Sequence, residues 1–260
     1  MRAWPAPAPA SGLAALIVFL AALEWAARSG WISPFLTPPP SEIAAAGWRM
    51  AAEEPLAAAF FTTLLLALGA TAAAAAVGIV AGWLLYRFRA FGAAYESWLA
   101  ALFSAPLILL YPLFLVLFGR GLLTLFMIGF LSGMIPMLLK TYEGFTSVRQ
   151  VLVDVARSFN LSERGILAKV LLPAALPTLF TGLRLAFIYA TINVIGLEYL
   201  ANLGGLGYQV GKMYDRFDIP AMYAAVSFVL LLSAIGFYAA ERLEWALAGA
   251  GGAHGPRGRR

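Results

Sequence analysis

Cysteine is absent from this 260-residue sequence, and histidine occurs once. Without cysteine the chain forms no disulfide and offers no thiolate as a nucleophile or a metal ligand. The one histidine, His254, lies in a glycine-rich stretch beyond the last long apolar run, where it cannot pair with a buried nucleophile or complete a cluster of metal ligands. We therefore predict no catalytic residue and no metal ligand on this chain.

A phosphate-binding loop is also missing. The nearest candidate surrounds Gly211 and Lys212, but Leu206 stands where the loop needs its first glycine and Met213 where it needs serine or threonine. A dinucleotide-binding fingerprint fails as well, because the last glycine interval is one residue too long and no βαβ pattern surrounds it. We predict no cofactor-binding residue.

Charge is scarce: 12% of the residues are charged and the net charge is +5. No basic face interleaved with aromatic residues occurs outside the connecting segments, so we expect no nucleic-acid partner. Hydrophobic residues make up 62% of the chain, far more than a soluble domain carries. The sequence therefore predicts an all-α integral membrane protein in contact with the lipid bilayer.

About six apolar runs are long enough to be transmembrane helices. We favour an uncleaved first helix over a cleaved signal peptide, because no small-x-small cleavage site follows it. The second run is rich in small residues, which favours close helix packing, and Pro106 and Pro112 should kink the third. Between the first two runs, Ser41 is expected to cap an amphipathic helix that lies on the membrane surface. The runs cover approximately residues 11–27, 56–86, 95–118, 122–139, 178–201 and 219–246.

One polar, basic segment, residues 154–173, separates four of these runs from the last two. Each of its cations would cost about 2.5 to 3.5 kcal/mol at a bilayer centre, so the segment lies outside the hydrocarbon. It is predicted to form two short helices. Asn160 allows a left-handed turn between them, Ser162 caps the second, and the second ends before Pro173.

The first of these short helices, over residues 148–159, carries an apolar stripe at helical spacing. Such a helix-turn-helix indicates a docking surface for a partner protein. The alternative is an amphipathic loop that rests on lipid headgroups, and the pattern alone does not separate the two. The stripe consists of Val148, Leu152, Val155, Ala156 and Phe159.

The segment resembles the EAA loop of the membrane subunits of ATP-binding-cassette (ABC) importers. That pattern is Glu-Ala-Ala, three residues, Gly, nine residues, then Ile, any residue, Leu and Pro. Both spacings are intact here, with Asp in place of Glu and Asn in place of Gly; the carboxylate and the capacity for a left-handed turn are kept. The matching residues are Asp154, Val155, Ala156, Asn160, Val170, Leu172 and Pro173.

Residues 174–186 and 204–208 look like the nitrate, sulfonate and taurine branch of that family. The resemblance implies a type I ABC importer (MetI-like) permease fold that works with a second copy of itself, cytosolic ABC ATPase subunits and an external solute-binding protein. ATP and Mg would then belong to the ATPase. The solute would be a small organic or inorganic anion such as a sulfonate, taurine or nitrate.

The resemblance also implies roles within the loop. Asp154 would orient it, Val155 and Ala156 would fit a cleft of the ATPase, Asn160 would set the turn and Pro173 would end the second helix. Three regions follow: residues 1–55 with the first helix and an external connection, a permease core over 56–247 that contains the coupling loop 142–176, and a basic cytoplasmic tail over 248–260.

Counting cations predicts the topology. If both termini are cytoplasmic, twelve of the eighteen basic residues lie inside and five outside, as the positive-inside rule favours. We therefore predict a multi-pass protein of the bacterial plasma membrane with its loop in the cytosol. The inner set is Arg2, Arg87, Arg89, Lys140, Arg149, Arg157, Arg164, Lys169, Arg242, Arg257, Arg259 and Arg260.

The fifth apolar run contains the polar residues from which a solute path would be built. Asn193 and Glu198 are five residues apart, about 140° around a helix, so at most one of them should face a path while the other lies at a helix contact. Arg184 is expected to extend towards the nearer interface. Gly205 and Gly207 belong to a stretch that we interpret as a flexible external turn near an outer gate.

Two rival functions predict other sequence features within the apolar runs. An ion-coupled secondary transporter could use Glu198, but it predicts an internal inverted repeat that the sequence lacks. An intramembrane enzyme predicts a Ser/His or paired-Asp site at membrane depth, and the apolar runs contain neither. The ABC importer subunit accounts for the loop, whereas these alternatives do not.

Overall fold

The computed structural model describes residues 9–33, 35–53 and 55–250. These residues form helices and contain no β-strand, so the predicted all-α architecture is confirmed. A 3-10 turn, Leu107–Leu110, precedes α5, and a π-helical turn, Leu167–Leu171, precedes α9. The helices are α1 Pro9–Arg28, α2 Pro40–Glu53, α3 Leu56–Arg87, α4 Arg89–Ser104, α5 Tyr111–Phe118, α6 Leu122–Thr146, α7 Gln150–Ser158, α8 Glu163–Ile166, α9 Leu172–Ala201, α10 Gly205–Asp215 and α11 Ile219–Ala250.

Helices α3 and α6 pack side by side and run in the same direction. Gly78 lies against Met137 and Gly82 against Thr141, so residues further along one helix meet residues further along the other. A Cβ atom at Gly82 would lie 2.6 Å from the Cβ of Thr141 and 2.8 Å from the carbonyl oxygen of Leu138. Because glycine has no side chain, the two backbones come close together at these positions, as the small-residue composition predicted.

Helix α9 packs on the same pair in the opposite direction. Gly129 of α6 lies against Val194, and Gly133 lies against the backbone of Ala186. The three helices form the centre of the bundle. We call the end at which α3 and α6 finish the loop end, because α7 and α8 follow it there, and the opposite end the far end.

Four helices are long and apolar enough to cross a membrane: Leu56–Arg87, Leu122–Thr146, Glu163–Ala201 and Ile219–Arg242. A fifth crossing follows from the directions just described. Because α3 finishes at the loop end and the parallel α6 starts at the far end, the chain between them has to cross the bundle. Of the six predicted spans, five are thus accounted for among the described residues, and the span assigned to α1 stays a prediction.

That fifth crossing is broken rather than kinked. Segments Ser97–Ser104 and Leu107–Phe118 meet at 81°, with Pro106 at the break. Proline removes a backbone donor and clashes with the preceding turn, which explains the location. Pro112 was predicted to kink the span as well, but it occupies the first turn of α5, where a missing N–H is harmless.

The predicted amphipathic helix is present as α2, but Ser41 does not cap it: the helix begins at Pro40, and the Ser41 hydroxyl donates to the Glu24 carboxylate at 2.7 Å. Ala46 and Met50 are buried in a cluster with residues of α3, α10 and α11, and Gly47 lies against Ala224 and Phe228. Its start is tied to α1, because the backbone N–H of Ser41 donates to the Glu24 carboxylate at 3.0 Å. The helix is therefore an integral part of the bundle.

Substituting glycines of α3 should separate close contact from helix propensity. We expect Gly82→Ala to destabilise the fold by about 1 to 3 kcal/mol, since the new methyl group meets backbone across the α3–α6 contact. Gly69→Ala is the matched control in the same helix. Its Cβ would meet only Phe126 at 3.6 Å, and helix propensity should then stabilise the fold by about 0.5 to 1 kcal/mol. Thermal unfolding in detergent measures both; equal shifts would contradict the packing.

Candidate functional site

Helix α7 presents three different sides. Val153 and Ala156 are buried, and its charged side chains lie together on an exposed side. The remaining side is apolar yet exposed, and this α7 apolar face extends one residue beyond the end of the helix at Ser158. Exposed apolar groups at helical spacing, on a segment too basic for hydrocarbon, are the property expected of a docking surface. The face consists of Val151, Leu152, Val155 and Phe159, of which Phe159 is 78% exposed.

The prediction that Ala156 fits a partner's cleft is wrong for this conformation. Ala156 is only 4% exposed and packs within the protein, in a cluster that includes Phe145, Ile166 and Leu171. Val155 is 48% exposed and is available to a partner. Periodicity grouped the two residues in one stripe, although the helix uses adjacent sides for its own core and for solvent.

The turn after α7 has the conformation that its residues predicted. Asn160 has φ 54°, in the left-handed region, and its N–H donates to the carbonyl of Arg157 at 2.8 Å. The Ser162 hydroxyl accepts a hydrogen bond from the N–H of Gly165 at 3.2 Å and so caps α8. The break between the two helices is therefore encoded locally.

Asp154 lies on the charged side of α7, exposed to solvent. It accepts a hydrogen bond from Gln150 Nε2 at 3.1 Å and lies 3.6 Å from Arg157 Nη1. Arg157 also approaches Glu163 of α8, with 3.9 Å between Nη2 and Oε1. Exposed pairs of this kind contribute about 0 to 1 kcal/mol each, so they add little to the stability of the fold.

Pro173 does not end the second loop helix, contrary to the prediction. The chain passes from α8 through the π-helical turn into α9, and Glu163–Ala201 forms one continuous helical run of 39 residues. The N–H of Leu172 donates to the carbonyl of Leu167, five residues back. This wider turn lies just before Pro173, whose ring and missing N–H an ordinary turn would not accommodate. Val170 is half-buried, whereas Leu172 and Pro173 are exposed.

At the far end of α9, Glu198 is completely buried. The Thr63 hydroxyl of α3 donates to its carboxyl group at 2.8 Å, and the N–H of Gly207 in α10 donates to Oε2 at 3.0 Å. Thr63 in turn accepts from the N–H of Leu206 at 2.9 Å. We call these groups the Glu198 network; it joins α3, α9 and α10.

The sequence predicted a flexible turn over residues 204–208, but most of this stretch is helical. Gly204 has φ 87° and Gly205 φ 79°, but α10 begins at Gly205 and its first turn is buried. A Cβ atom at Gly205 would overlap the Glu198 carboxyl group, and one at Gly207 would lie 2.2 Å from the Ile195 carbonyl oxygen. Glycine is thus required here for close approach to α9.

Asn193 lies elsewhere, half-buried beside the broken span. Its Nδ2 donates to the carbonyl of Tyr189 at 2.9 Å, and the residue lines a cavity of about 400 Å³. Of the two polar candidates, Glu198 is thus at a helix contact and Asn193 at a cavity, in keeping with the 140° between them. We call this space the α9 cavity. It is lined by Phe103, Ser104, Ala105, Pro106, Leu107, Ile108, Ser132, Tyr189, Ile192 and Asn193.

Arg184 is paired rather than extended towards an interface. Its guanidinium forms an ion pair with Glu244 of α11 and lies 5.4 Å from the centre of the Phe237 ring. The two charged side chains are 28% and 27% exposed, and the pair connects the last helix to α9. Sequence reasoning missed Glu244, and it missed Thr63, because a threonine within an apolar run gives no signal of its partner.

In the part of the chain that the structure describes, no three His, Asp or Glu side chains are grouped so that they could hold a metal ion. The two clusters with functional character are the α7 apolar face at the loop end and the polar residues of α9.

Comparisons with known proteins agree with this layout. A family model described as binding-protein-dependent transport system inner membrane component matches residues 74–248. The formylaminopyrimidine transport permease protein ThiX of Halalkalibacterium halodurans is 30% identical over 168 residues, which are 65% of this chain and 67% of that protein. The bicarbonate transport system permease protein CmpB of Synechococcus elongatus is 30% identical over 135 residues, covering 52% and 48%.

Among solved structures, an inward-facing conformation of the MetNI methionine ABC transporter has the same fold. The TM-score is 0.62 at 21% sequence identity, with 74% of this chain and 95% of that chain covered. The predicted MetI-like fold is thereby confirmed.

The Glu198 network yields a test on α3. We expect Thr63→Val to destabilise the fold by about 1 to 3 kcal/mol, because it leaves the Leu206 N–H unpaired and removes a donor from a buried carboxyl group. Thr71→Val is the control: its hydroxyl is buried too, but it bonds only to Ala67 of its own helix. Melting temperatures in detergent should fall by several degrees for Thr63→Val alone. Equal losses would exclude a special role for the network.

Proposed function

The chain belongs to the family of binding-protein-dependent transport system inner membrane components, and from that premise we propose how it works as the permease subunit of an ABC importer for a small solute. The α7 apolar face docks in a cleft of a cytosolic ABC ATPase subunit. Closure of the ATPases then moves α7 and α8, and with them α9. ATP and Mg are bound by the ATPase, and this chain carries out no catalysis itself.

One observation supports this proposal above the others: the exposed α7 apolar face is mounted on a helical run that crosses the bundle without interruption. Val153 and Ala156 fix α7 to the bundle from inside, while Val155 and Phe159 point away from it. A push on this face is therefore transmitted to Glu163–Ala201 as a rigid body. A loop resting on lipid would need no such connection.

A complete importer of this kind needs partners that the chain itself does not supply. We propose that two copies form the path, that an external solute-binding protein delivers the solute at the far end, and that two ATPase subunits bind at the loop end. The cations of residues 149–169 agree with a cytosolic loop by the positive-inside rule. Helix α11 finishes at the loop end, since Glu244 meets Arg184 on the way there, so a cytosolic loop would put the C-terminal side in the cytosol as well.

The relatives of this chain are named for solutes of more than one chemical class. The anion expected from the resemblance, such as a sulfonate, taurine or nitrate, stays a prediction. The names of two relatives point in different directions, one to a formylaminopyrimidine and one to bicarbonate. Selection by the external binding protein would allow one permease fold to serve both.

The alternative, an ion-coupled secondary transporter that uses Glu198, is less well supported by the geometry. A coupling carboxylate has to exchange its ion with solvent, whereas the Glu198 carboxyl group is fully buried and bonded to Thr63 and Gly207. The importer proposal needs no ion at this position. Transport by the isolated chain, without an ATPase, would favour the alternative.

Docking can be tested without disturbing the fold. We expect Val155→Asp to abolish co-purification with the ATPase subunit and solute uptake, because a carboxylate in an apolar cleft would be desolvated without a partner. The permease itself should fold normally, since Val155 is exposed.

Ser158→Asp is the matched control, because it adds the same charge to the exposed polar side of α7. That variant should retain the ATPase. Ala156→Arg, by contrast, should lower the melting temperature, because Ala156 is packed inside. If Val155→Asp still bound the ATPase at full stoichiometry, the docking face would be elsewhere.

A further inference from the structure

The α9 cavity combines space with a particular chemistry. It has a volume of about 400 Å³, enough for a small ring compound, and it lies where the broken span meets α6 and α9. Broken helices free backbone groups at membrane depth, and they are tolerated there when they line a cavity. Ile108, just after the break, contacts Gly196 of α9, where a Cβ atom would lie 2.9 Å from its Cδ1.

The polar groups of the cavity are neutral. Ser132 donates its hydroxyl proton to Ile128 and Ser104 donates its own to Ala100, so each oxygen is left as an acceptor. Asn193 uses one N–H on the Tyr189 carbonyl and retains its side-chain oxygen and a second N–H. The cavity thus offers hydrogen-bond donors and acceptors without a fixed charge.

Two aromatic rings form part of its wall. Phe103 at the end of α4 and Tyr189 of α9 have ring centroids 4.8 Å apart at an interplanar angle of 57°. Rings at this distance give an apolar, polarizable surface that favours a flat aromatic solute. A tetrahedral anion gains nothing from such a wall.

Charge separates the solute classes further. None of the residues that line the cavity is Lys, Arg, Asp or Glu. An anion that entered would lose hydration without meeting a cation, and that loss is costly in an apolar surrounding. A neutral solute with hydrogen-bonding edges loses less and regains its hydrogen bonds from Asn193 and Ser132.

We propose that the α9 cavity is a solute-contact site of the translocation path and that it accepts an uncharged, planar nitrogen heterocycle. This inference rests on the proposed function, because it assumes that a solute passes along α9. It assigns Asn193 the hydrogen bonds to the ring edge and the Phe103–Tyr189 pair the ring face. Movement of α9 against Ile108 would change the shape of the site.

Direct binding to the assembled permease–ATPase complex in detergent tests the site, with formylaminopyrimidine and methanesulfonate as probes. Saturation-transfer NMR detects weak binding of either compound. We expect formylaminopyrimidine to bind and methanesulfonate not to bind. The Asn193→Leu substitution should weaken the binding of formylaminopyrimidine about tenfold, since leucine has a similar branched shape but forms no hydrogen bonds.

Two further variants make the result specific. The Phe103→Leu substitution should also weaken binding of the heterocycle, because it removes an aromatic ring from the wall of the cavity. Thr181→Val is the control: it removes a hydroxyl group from an exposed position of α9 outside the cavity and should change nothing. Methanesulfonate binding that Asn193→Leu abolishes would overturn the solute class. Equal affinities in Asn193→Leu and Thr181→Val would overturn the site.

Different experimental outcomes refute the cavity assignment and the proposed function. If the wild-type complex assembles with its ATPase but formylaminopyrimidine does not bind, the cavity assignment alone is refuted. If no complex with an ATPase forms, the docking proposal fails first. Melting temperatures of all variants confirm that loss of binding does not reflect unfolding.

Discussion

A buried carboxyl group is the constraint around which the far end of this bundle is built. Burying the Glu198 carboxyl group without hydrogen-bond donors would destabilise the fold. Two other helices supply the donors, through the Thr63 hydroxyl and the Gly207 N–H. Those donors arrive only because α10 begins with glycines that approach α9 closely. Helices α3, α9 and α10 are thereby held in one arrangement at the far end.

The loop end depends on a different kind of continuity. The π-helical turn lets the chain pass Pro173 without a break, so that a helical run of 39 residues, about 58 Å long, extends from the start of α8 to the Glu198 network. Helix α7 is attached to this rod by its buried side and leaves its other apolar side free. The α7 apolar face and the Glu198 network consequently lie near opposite ends of this helical run, with the α9 cavity between them.

Sequence reasoning succeeded where the information is local. The left-handed turn at Asn160 and the cap at Ser162 follow from the properties of single residues, and the break at Pro106 follows from proline. It failed where two sides of one helix compete, as for Ala156, and where a turn changes type, as before Pro173. It could not find Thr63, because the partner of a buried carboxyl group lies 135 residues away and only the fold brings them together.

The contact between Arg184 and Glu244 has a topological consequence. The chain leaves α9 at Ala201, turns through α10 and returns along α11 until Glu244 meets Arg184, so residues 184–244 form a ring closed by a non-covalent clasp. Next to this ion pair the Phe187 side chain packs directly on Gly236, where any larger residue would overlap the phenyl ring. The last two helices are therefore tied to α9 at two places, through α10 by the Glu198 network and through α11 by this ion pair.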